Sequence, residues 1–208
     1  MRKYLYGVAS FVLAFVILSV SVVRSAAVSY GYSAPTPTTK IVPTPTPTIN
    51  YFLPYPGKIL PDNWLWYFKA IRDKSQYLIT TDPLKKADLA LLYSDKRLGG
   101  SVTLFENKKP DIAASTLTKG EKYLEEAVKD EEIAKDRGIN TNDFLIKLAN
   151  ASLRHRQVIE EQILPLTPED MKPVVIKSED YAKNVYKTCR DALNSASITL
   201  PKDPFNGQ

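Results

Sequence analysis

The side chains that most often do chemistry in proteins are scarce in this sequence. His155 is its only histidine and Cys189 its only cysteine. A single imidazole excludes a multi-histidine metal site, and a single thiol excludes an intramolecular disulfide or a paired-cysteine metal clip. Both residues fall on predicted apolar helix stripes. We therefore expect His155 to be a hydrogen-bonded residue of the core or of a helix seam, and Cys189 to be a buried, unreactive thiol.

Other patterns of catalysis are equally weak. No serine stands in the glycine pattern of a nucleophile elbow, and Gly99-Gly100 lacks the lysine that completes a phosphate-binding loop. Neighbouring acids such as Glu160 and Glu161 diverge by about 100° on a helix, so they cannot act on one substrate. The sequence predicts no catalytic residue, no cofactor and no metal ligand.

Aromatic residues are the most suggestive local feature. On a helix, Trp64 and Phe68 share a face whereas Trp66 points elsewhere, so one core cannot take every ring. Either a neighbouring segment covers the remaining ring, or that ring is offered to lipid headgroups or to a partner protein. The predicted partner or interface surface comprises Tyr51, Phe52, Tyr55, Trp64, Trp66 and Tyr67.

Residues 51–61, here called the strap, are apolar and interrupted by Pro54, Pro56 and Pro61. Prolines at these positions rule out both a helix and a central β-strand. The strap either packs along the rest of the fold and buries its aromatic rings there, or it binds a membrane interface or a partner.

The N-terminal residues predict export. Arg2 and Lys3 precede an uncharged apolar run at residues 4–23, which is typical of an export signal. A run of about 20 residues is long enough to cross a hydrocarbon layer of about 30 Å. We expect residues 1–28 to be a retained anchor with its start in the cytoplasm. The alternative is cleavage after Ala27, which would release a secreted protein.

Residues 29–50 predict a linker. They contain prolines at positions 35, 37, 43, 45 and 47 and show no periodic apolar face. Proline favours an extended conformation of about 3.1 Å per residue, so we expect a semi-rigid spacer that holds the following domain away from the membrane. Threonine alternating with proline is also typical of an O-glycosylated stalk.

The charge distribution argues against a nucleic-acid partner. The chain carries a net charge of +5, but four of its 28 basic residues and none of its 23 acidic residues fall in the first fifty positions. The remainder therefore has a net charge of only +1. A groove that neutralises a phosphate backbone needs a much larger basic excess.

Helical periodicity, with clear signals for helix starts and ends, continues to the C-terminus. Asp82-Pro83 and Lys109-Pro110 are start signals, and no segment shows the alternation of a strand. We predict an all-α antiparallel bundle of four to five helices, with its core at residues 51–164 and a C-terminal helical extension at 165–208. The predicted helices run from Asp62 or Asn63 to about Thr80, Pro83 to about Asn107, Asp111 to Arg137, Thr141 to about Leu164, and Glu179 to about Ala196.

Several details of this bundle can be predicted. In the first helix, the stripe formed by Leu65, Phe68, Ile71 and Leu78 should face inward. In the second, apolar residues seven apart form a coiled-coil-like seam, which Gly99-Gly100 interrupts with a bend or a close contact to another helix. Lys172-Pro173 should break the tail, and Ser178 should cap the last helix. The seam consists of Leu84, Leu91, Leu98 and Phe105.

Three motifs together resemble a known family. They are Leu60-Pro61-Asp62 followed by an aromatic stretch to Lys69, residues 82–89 (DPLKKADL), and residues 95–98 (DKRL). The chain resembles, over about residues 51–163, a bacterial family of extracytoplasmic helical domains of unknown function. The resemblance implies a helical domain behind a signal segment or anchor. It implies no catalytic or ligand-binding residue.

Three functional hypotheses follow. The leading one is a membrane-tethered extracytoplasmic interaction or scaffold module that presents helix faces to an envelope protein. A second is a sensor of envelope stress or of a small ligand. A third is a cell-envelope hydrolase, which needs carboxylates from separate helices to converge. The pocket expected for the sensor would be lined by Tyr77, Tyr93, Tyr123 or Tyr186.

Overall fold

The computed structural model describes residues 49–205, which belong to one compact unit. The predicted anchor at 1–28 and nearly all of the predicted linker lie outside the described residues, as does the alternative cleavage position after Ala27. Within the described part, none of the helices has the length and apolar character needed to cross a membrane.

Five α-helices and no β-strand make up residues 49–205, which confirms the all-α prediction. After α4, the chain continues through a π-helical turn, Ile159–Ile163, and a short 3-10 turn, Leu164–Leu166. The helices are α1 (Trp66–Ile79), α2 (Pro83–Glu106), α3 (Pro110–Asp136), α4 (Asn142–Val158) and α5 (Lys172–Ser195).

α2 begins, and α3 ends, at a predicted signal. The Asp82 carboxylate accepts hydrogen bonds from the backbone N–H groups of Leu84 and Lys85, at 3.0 and 3.2 Å, and Pro83 occupies the first turn of α2. This satisfies donors that a helix start leaves without partners. Gly138 follows α3 with a φ of +76°, a conformation that glycine adopts at helix ends without steric cost.

The start of α1 differs from the prediction. Asp62 does not cap the helix, because its carboxylate pairs with Lys109 at 2.6 Å. Asn63 instead accepts a hydrogen bond from the backbone N–H of Leu65 at 2.9 Å, within the turn that precedes α1. The helix therefore begins at Trp66, after this turn.

The start of α5 also differs. Pro173 lies in the first turn of the helix, where a proline needs no N–H donor, so Lys172-Pro173 begins the helix instead of breaking it. The predicted cap Ser178 consequently lies inside α5. Its hydroxyl donates to the Val174 carbonyl at 2.9 Å.

The core is formed by two clusters of buried apolar side chains. One joins α2, α3, α4 and α5, and the other surrounds the end of α4 and the start of α5. Of the predicted seam, Leu91, Leu98 and Phe105 are buried. Cys189 is buried in the first cluster, and burial raises the pKa of its thiol to about 12, as expected for an unreactive cysteine.

The glycine pair marks a close contact, but with the strap and not with another helix. α2 passes through Gly99 and Gly100 without interruption. A Cβ atom added at Gly99 would lie 3.4 Å from Pro56 Cδ, and one added at Gly100 would lie 3.4 Å from Leu60 Cδ2. The strap therefore packs directly on this bare stretch of helix backbone.

Candidate functional site

α1 presents an apolar surface to solvent. Five of its large side chains, together with Trp64 in the turn before the helix, are exposed by 62 to 76% of their areas. At 100° per residue, their positions fall within an arc of about 120°. Trp64 and Phe68 share this side, as predicted, with ring centroids 6.1 Å apart in an edge-to-face arrangement. This surface, here called the α1 apolar face, comprises Trp64, Tyr67, Phe68, Ile71, Leu78 and Ile79.

The predicted inward stripe of the first helix is therefore wrong. Phe68, Ile71 and Leu78 point to solvent, and Leu65 is also exposed. The physical reason lies on the opposite side of α1, which faces backbone carbonyls and carboxylates. Those acceptors need polar partners, and an apolar stripe cannot supply them.

The inner side of α1 is held by hydrogen bonds. The Lys69 ammonium donates to the Pro56 and Ile59 carbonyls of the strap, at 2.9 and 3.2 Å. Burial lowers the pKa of Lys69 to about 8. Further along α1, the Tyr77 hydroxyl donates to the Asp130 carboxylate at 2.5 Å.

The six predicted interface residues divide into two groups. Phe52, Tyr55, Trp64 and Tyr67 are exposed, whereas Tyr51 and Trp66 are half-buried. The strap thus fits parts of both alternatives. It packs on α2 with Tyr51 half-buried, yet it leaves Phe52 and Tyr55 on the surface. The structure does not unite the six residues into one site.

A buried charged network lies beneath the strap. His155 is fully buried, with Nδ1 2.9 Å from a Glu121 oxygen and Nε2 2.9 Å from an Asp95 oxygen. The other Asp95 oxygen accepts a hydrogen bond from the Tyr51 hydroxyl at 2.7 Å. The network links α2, α3 and α4 to the strap, and it confirms His155 as a hydrogen-bonded core residue.

Charge dominates this network. Burial alone lowers the pKa of His155, but the Glu121 and Asp95 carboxylates outweigh it and raise the pKa to about 10. The imidazole is therefore a cation at neutral pH and donates from both nitrogens. Burial and the neighbouring Asp95 raise the pKa of Tyr51, so its hydroxyl stays a donor. A solvent-excluded histidine that is charged at neutral pH therefore acts here as a structural link.

A cavity of about 370 Å³ lies between α1, α2 and α3. The Tyr123 ring stands edge-to-face with those of Tyr77 and Tyr93, at centroid distances of 6.2 and 5.8 Å. Of the tyrosines predicted for a ligand pocket, Tyr77 and Tyr123 line this cavity and Tyr93 packs behind Tyr123. Tyr186 lies on α5, with its hydroxyl donating to Pro201. The lining residues are Tyr77, Arg97, Lys119, Lys122, Tyr123 and Glu126.

The basic residues of this cavity were not predicted as site residues. The spacing of Lys119, Lys122 and Tyr123 places them on one side of a helix, which the sequence alone shows. Arg97 comes from α2, and only the packing of α2 on α3 brings it to them. Among residues 49–205, no group of three or more histidine, cysteine or acidic side chains is arranged to hold a metal ion.

The described residues define a small all-α protein with a strap, an exposed apolar helix face and a cation-lined cavity. The chain belongs to the family described as Domain of unknown function (DUF5667), which matches residues 58–167, more than half of the 208-residue chain. This confirms the resemblance to a helical family of unknown function. No curated protein and no solved structure matches the chain.

Proposed function

We propose that the protein is a membrane-tethered extracytoplasmic interaction module whose docking surface is the α1 apolar face. The observation that carries the proposal is the exposure of six large apolar side chains on one side of α1 and the turn before it, none of them part of the two core clusters. Contiguous apolar surface of this kind is unusual on a soluble monomer and marks sites of association.

The shape of the face favours an envelope protein as the partner. Trp64, Tyr67 or Phe68, and Ile71 follow the spacing by which a helix inserts anchors into an apolar groove. Aromatic rings dominate binding energy at protein interfaces because they bury large areas with few rotatable bonds. We therefore expect a partner with an apolar groove that is about three helical turns long.

The tether comes from the predicted anchor and linker. A proline-rich spacer of 22 residues at about 3.1 Å per residue reaches roughly 70 Å, so the α1 apolar face could search a wide zone outside the membrane. Restricting a module to one surface raises the effective concentration of partners that share that surface. Such a tether suits a scaffold whose intrinsic affinity is modest.

Site-specific photo-crosslinking in the native membrane tests this proposal with the full chain. A photoreactive phenylalanine analogue at Phe68 or Ile71 should yield a discrete crosslinked protein, and the same analogue at Lys187, exposed on α5, should not. Adducts with lipid alone would assign the face to the membrane interface. Identical adduct patterns at Phe68 and Lys187 would refute a docking role.

The cavity beside Tyr123 favours the sensor as a second candidate, because two of the tyrosines expected for its ligand pocket line that cavity. The hydrolase has less support. Among residues 49–205, two pairs of carboxylates from separate segments converge. Asp95 and Glu121 are bound to His155 inside the core, and Glu160 and Glu179 both pair with Arg156. A second cavity of about 430 Å³, next to the strap, is lined by a single carboxylate, Asp62, which pairs with Lys109.

A further inference from the structure

We infer that the cavity between α1, α2 and α3 is a binding site for a phosphate group, with Arg97 as its central ligand and Lys119 and Lys122 at its rim. The inference is independent of the proposed docking surface. The α1 apolar face lies on the solvent side of α1, whereas the cavity is lined by the inner residue Tyr77.

Arg97 is the residue that points to an anion. Its guanidinium carbon lies 4.6 Å from the centroid of the Tyr123 ring and 5.8 Å from that of Trp66. Within residues 49–205, the guanidinium has neither an ion-pair partner nor a hydrogen bond. A half-buried arginine held by two rings is thus pre-oriented, with its five N–H donors unused.

The backbone keeps Arg97 in place. A Cβ atom added at Gly120 of α3 would lie only 3.0 Å from the Arg97 Cβ atom, so the two helices are closely packed here. Lys119 and Lys122 flank this glycine on α3. They are exposed, and within the described part of the chain neither ammonium forms an ion pair. Three cations that form no ion pair within residues 49–205 therefore surround one cavity.

The acid of the cavity does not cancel this charge. The Glu126 carboxylate, which lines the cavity, pairs at 2.9 Å with Lys129, which does not line it. Burial lowers the pKa of Arg97 even though the nearby Asp73 carboxylate raises it, because Asp73 is itself paired with Arg72 at 2.6 Å.

The charge count favours phosphate over carboxylate. A carboxylate brings one negative charge and two acceptor oxygens, whereas a phosphate monoester brings nearly two charges and three acceptor oxygens. The planar fork of arginine matches two of those oxygens, and lysines at the rim can reach the third as mobile point charges. A volume of about 370 Å³ admits a phosphate with part of the molecule that carries it. That molecule is either a small phosphate ester or a phospholipid headgroup.

Binding can be measured on the full chain, because Trp66 lies beside Arg97 and its fluorescence should report occupancy. One arm titrates inorganic phosphate, at constant ionic strength, into the chain held in a non-ionic detergent. The other places the chain in nanodiscs of phosphatidylcholine, with or without phosphatidic acid. We expect saturable binding in at least one arm. A signal confined to nanodiscs with phosphatidic acid identifies the lipid headgroup as the source.

Matched variants locate the site. Arg97→Gln should weaken binding about tenfold or more, and Arg97→Lys should also lose most of it, since a lysine keeps the charge but not the fork. Lys119→Gln combined with Lys122→Gln should weaken binding by several-fold, and it tests the site even where an Arg97 variant unfolds, because both lysines are exposed. Lys177→Gln and Lys187→Gln remove exposed, unpaired lysines of α5 as controls.

Three outcomes would overturn the inference. They are the absence of saturable binding in both arms, an affinity that the Arg97 and lysine variants leave unchanged, and an equal loss in the α5 controls. None of these bears on the crosslinking at Phe68 and Ile71, so the phosphate site and the docking surface can fail separately.

Discussion

α1 and the pair formed by α2 and α3 use their apolar residues in opposite ways. α2 buries Leu91 and Leu98 and α3 buries Leu117 and Leu124, so that both contribute to the core. α1 turns its leucine and isoleucines outward and is held by the donors of Lys69 and Tyr77 on its inner side. A helix can thus be attached to a bundle through polar contacts while its apolar side remains available.

The difference has an energetic basis. Burying a leucine or isoleucine side chain contributes roughly 1.5 to 3 kcal/mol, whereas a hydrogen bond contributes about 1 kcal/mol net. α1 therefore depends on a few polar contacts and should open more readily than α2 or α3. Low local stability is common among elements that bind or move.

Removal of the central histidine should cause the largest loss of stability. His155→Ala leaves the Asp95 and Glu121 carboxylates buried without a cation, so the free energy of unfolding should fall by about 3–5 kcal/mol. Urea unfolding monitored by circular dichroism measures this free energy. Lys147→Ala, which removes an exposed ion pair with Asp88, is the control and should cost less than about 1 kcal/mol. A similar loss of stability in both variants would contradict a stabilising role for the buried His155 network.

The same network predicts a pH dependence. The folded-state pKa of His155 is raised to about 10, so its contribution to stability is fully present below pH 6.5 and is lost as the pH rises through about 10. Lys69 acts in the opposite direction, because its lowered pKa of about 8 makes stability rise with pH above that value. The difference between the wild-type protein and His155→Gln isolates the histidine. In urea titrations that difference should shrink from pH 6.5 to pH 10, and a constant difference would exclude a charged His155.

Alanine substitutions at Gly120 and Gly99 should change stability by different, smaller amounts. Gly120→Ala adds a methyl group 3.0 Å from Arg97 Cβ, between two packed helices, and should destabilise the protein by about 1–2 kcal/mol after the gain in helix propensity. Gly99→Ala meets only Pro56 of the strap, at 3.4 Å, and should change stability by less than about 1 kcal/mol. Thermal unfolding of both variants gives the comparison. The reverse order would place the tighter packing at the strap.

The α1 apolar face should show the smallest effect on folding. Ile71→Ser removes an exposed side chain and should alter the free energy of unfolding by no more than about 0.5 kcal/mol, whereas the core variant Leu91→Ala should cost about 2–5 kcal/mol. A loss of several kcal/mol at Ile71, measured by urea unfolding, would mean that the face is covered within the protein. Unchanged stability combined with lost crosslinking at Phe68 would support docking.

The helices with strong end signals were predictable, and the weakly marked ones were not. Asp82-Pro83 correctly located the start of α2, since a capping acid and a proline act through neighbouring backbone atoms. Lys172-Pro173 was misread as a break, because a proline at a helix start and a proline after a helix end look alike in sequence. The role of His155 as a bonded core residue was predicted, but its partners, Asp95 and Glu121, stand 60 and 34 residues away.

The sequence by itself determined that this protein is helical, where most of its helices lie, and that its histidine and cysteine are buried. These properties depend on the spacing of apolar residues and on local backbone chemistry. Only the tertiary structure decided which side of α1 faces outward and which cations surround the cavity. A periodic stripe shows that residues share a side of a helix, but the partners available in space decide whether that side is covered.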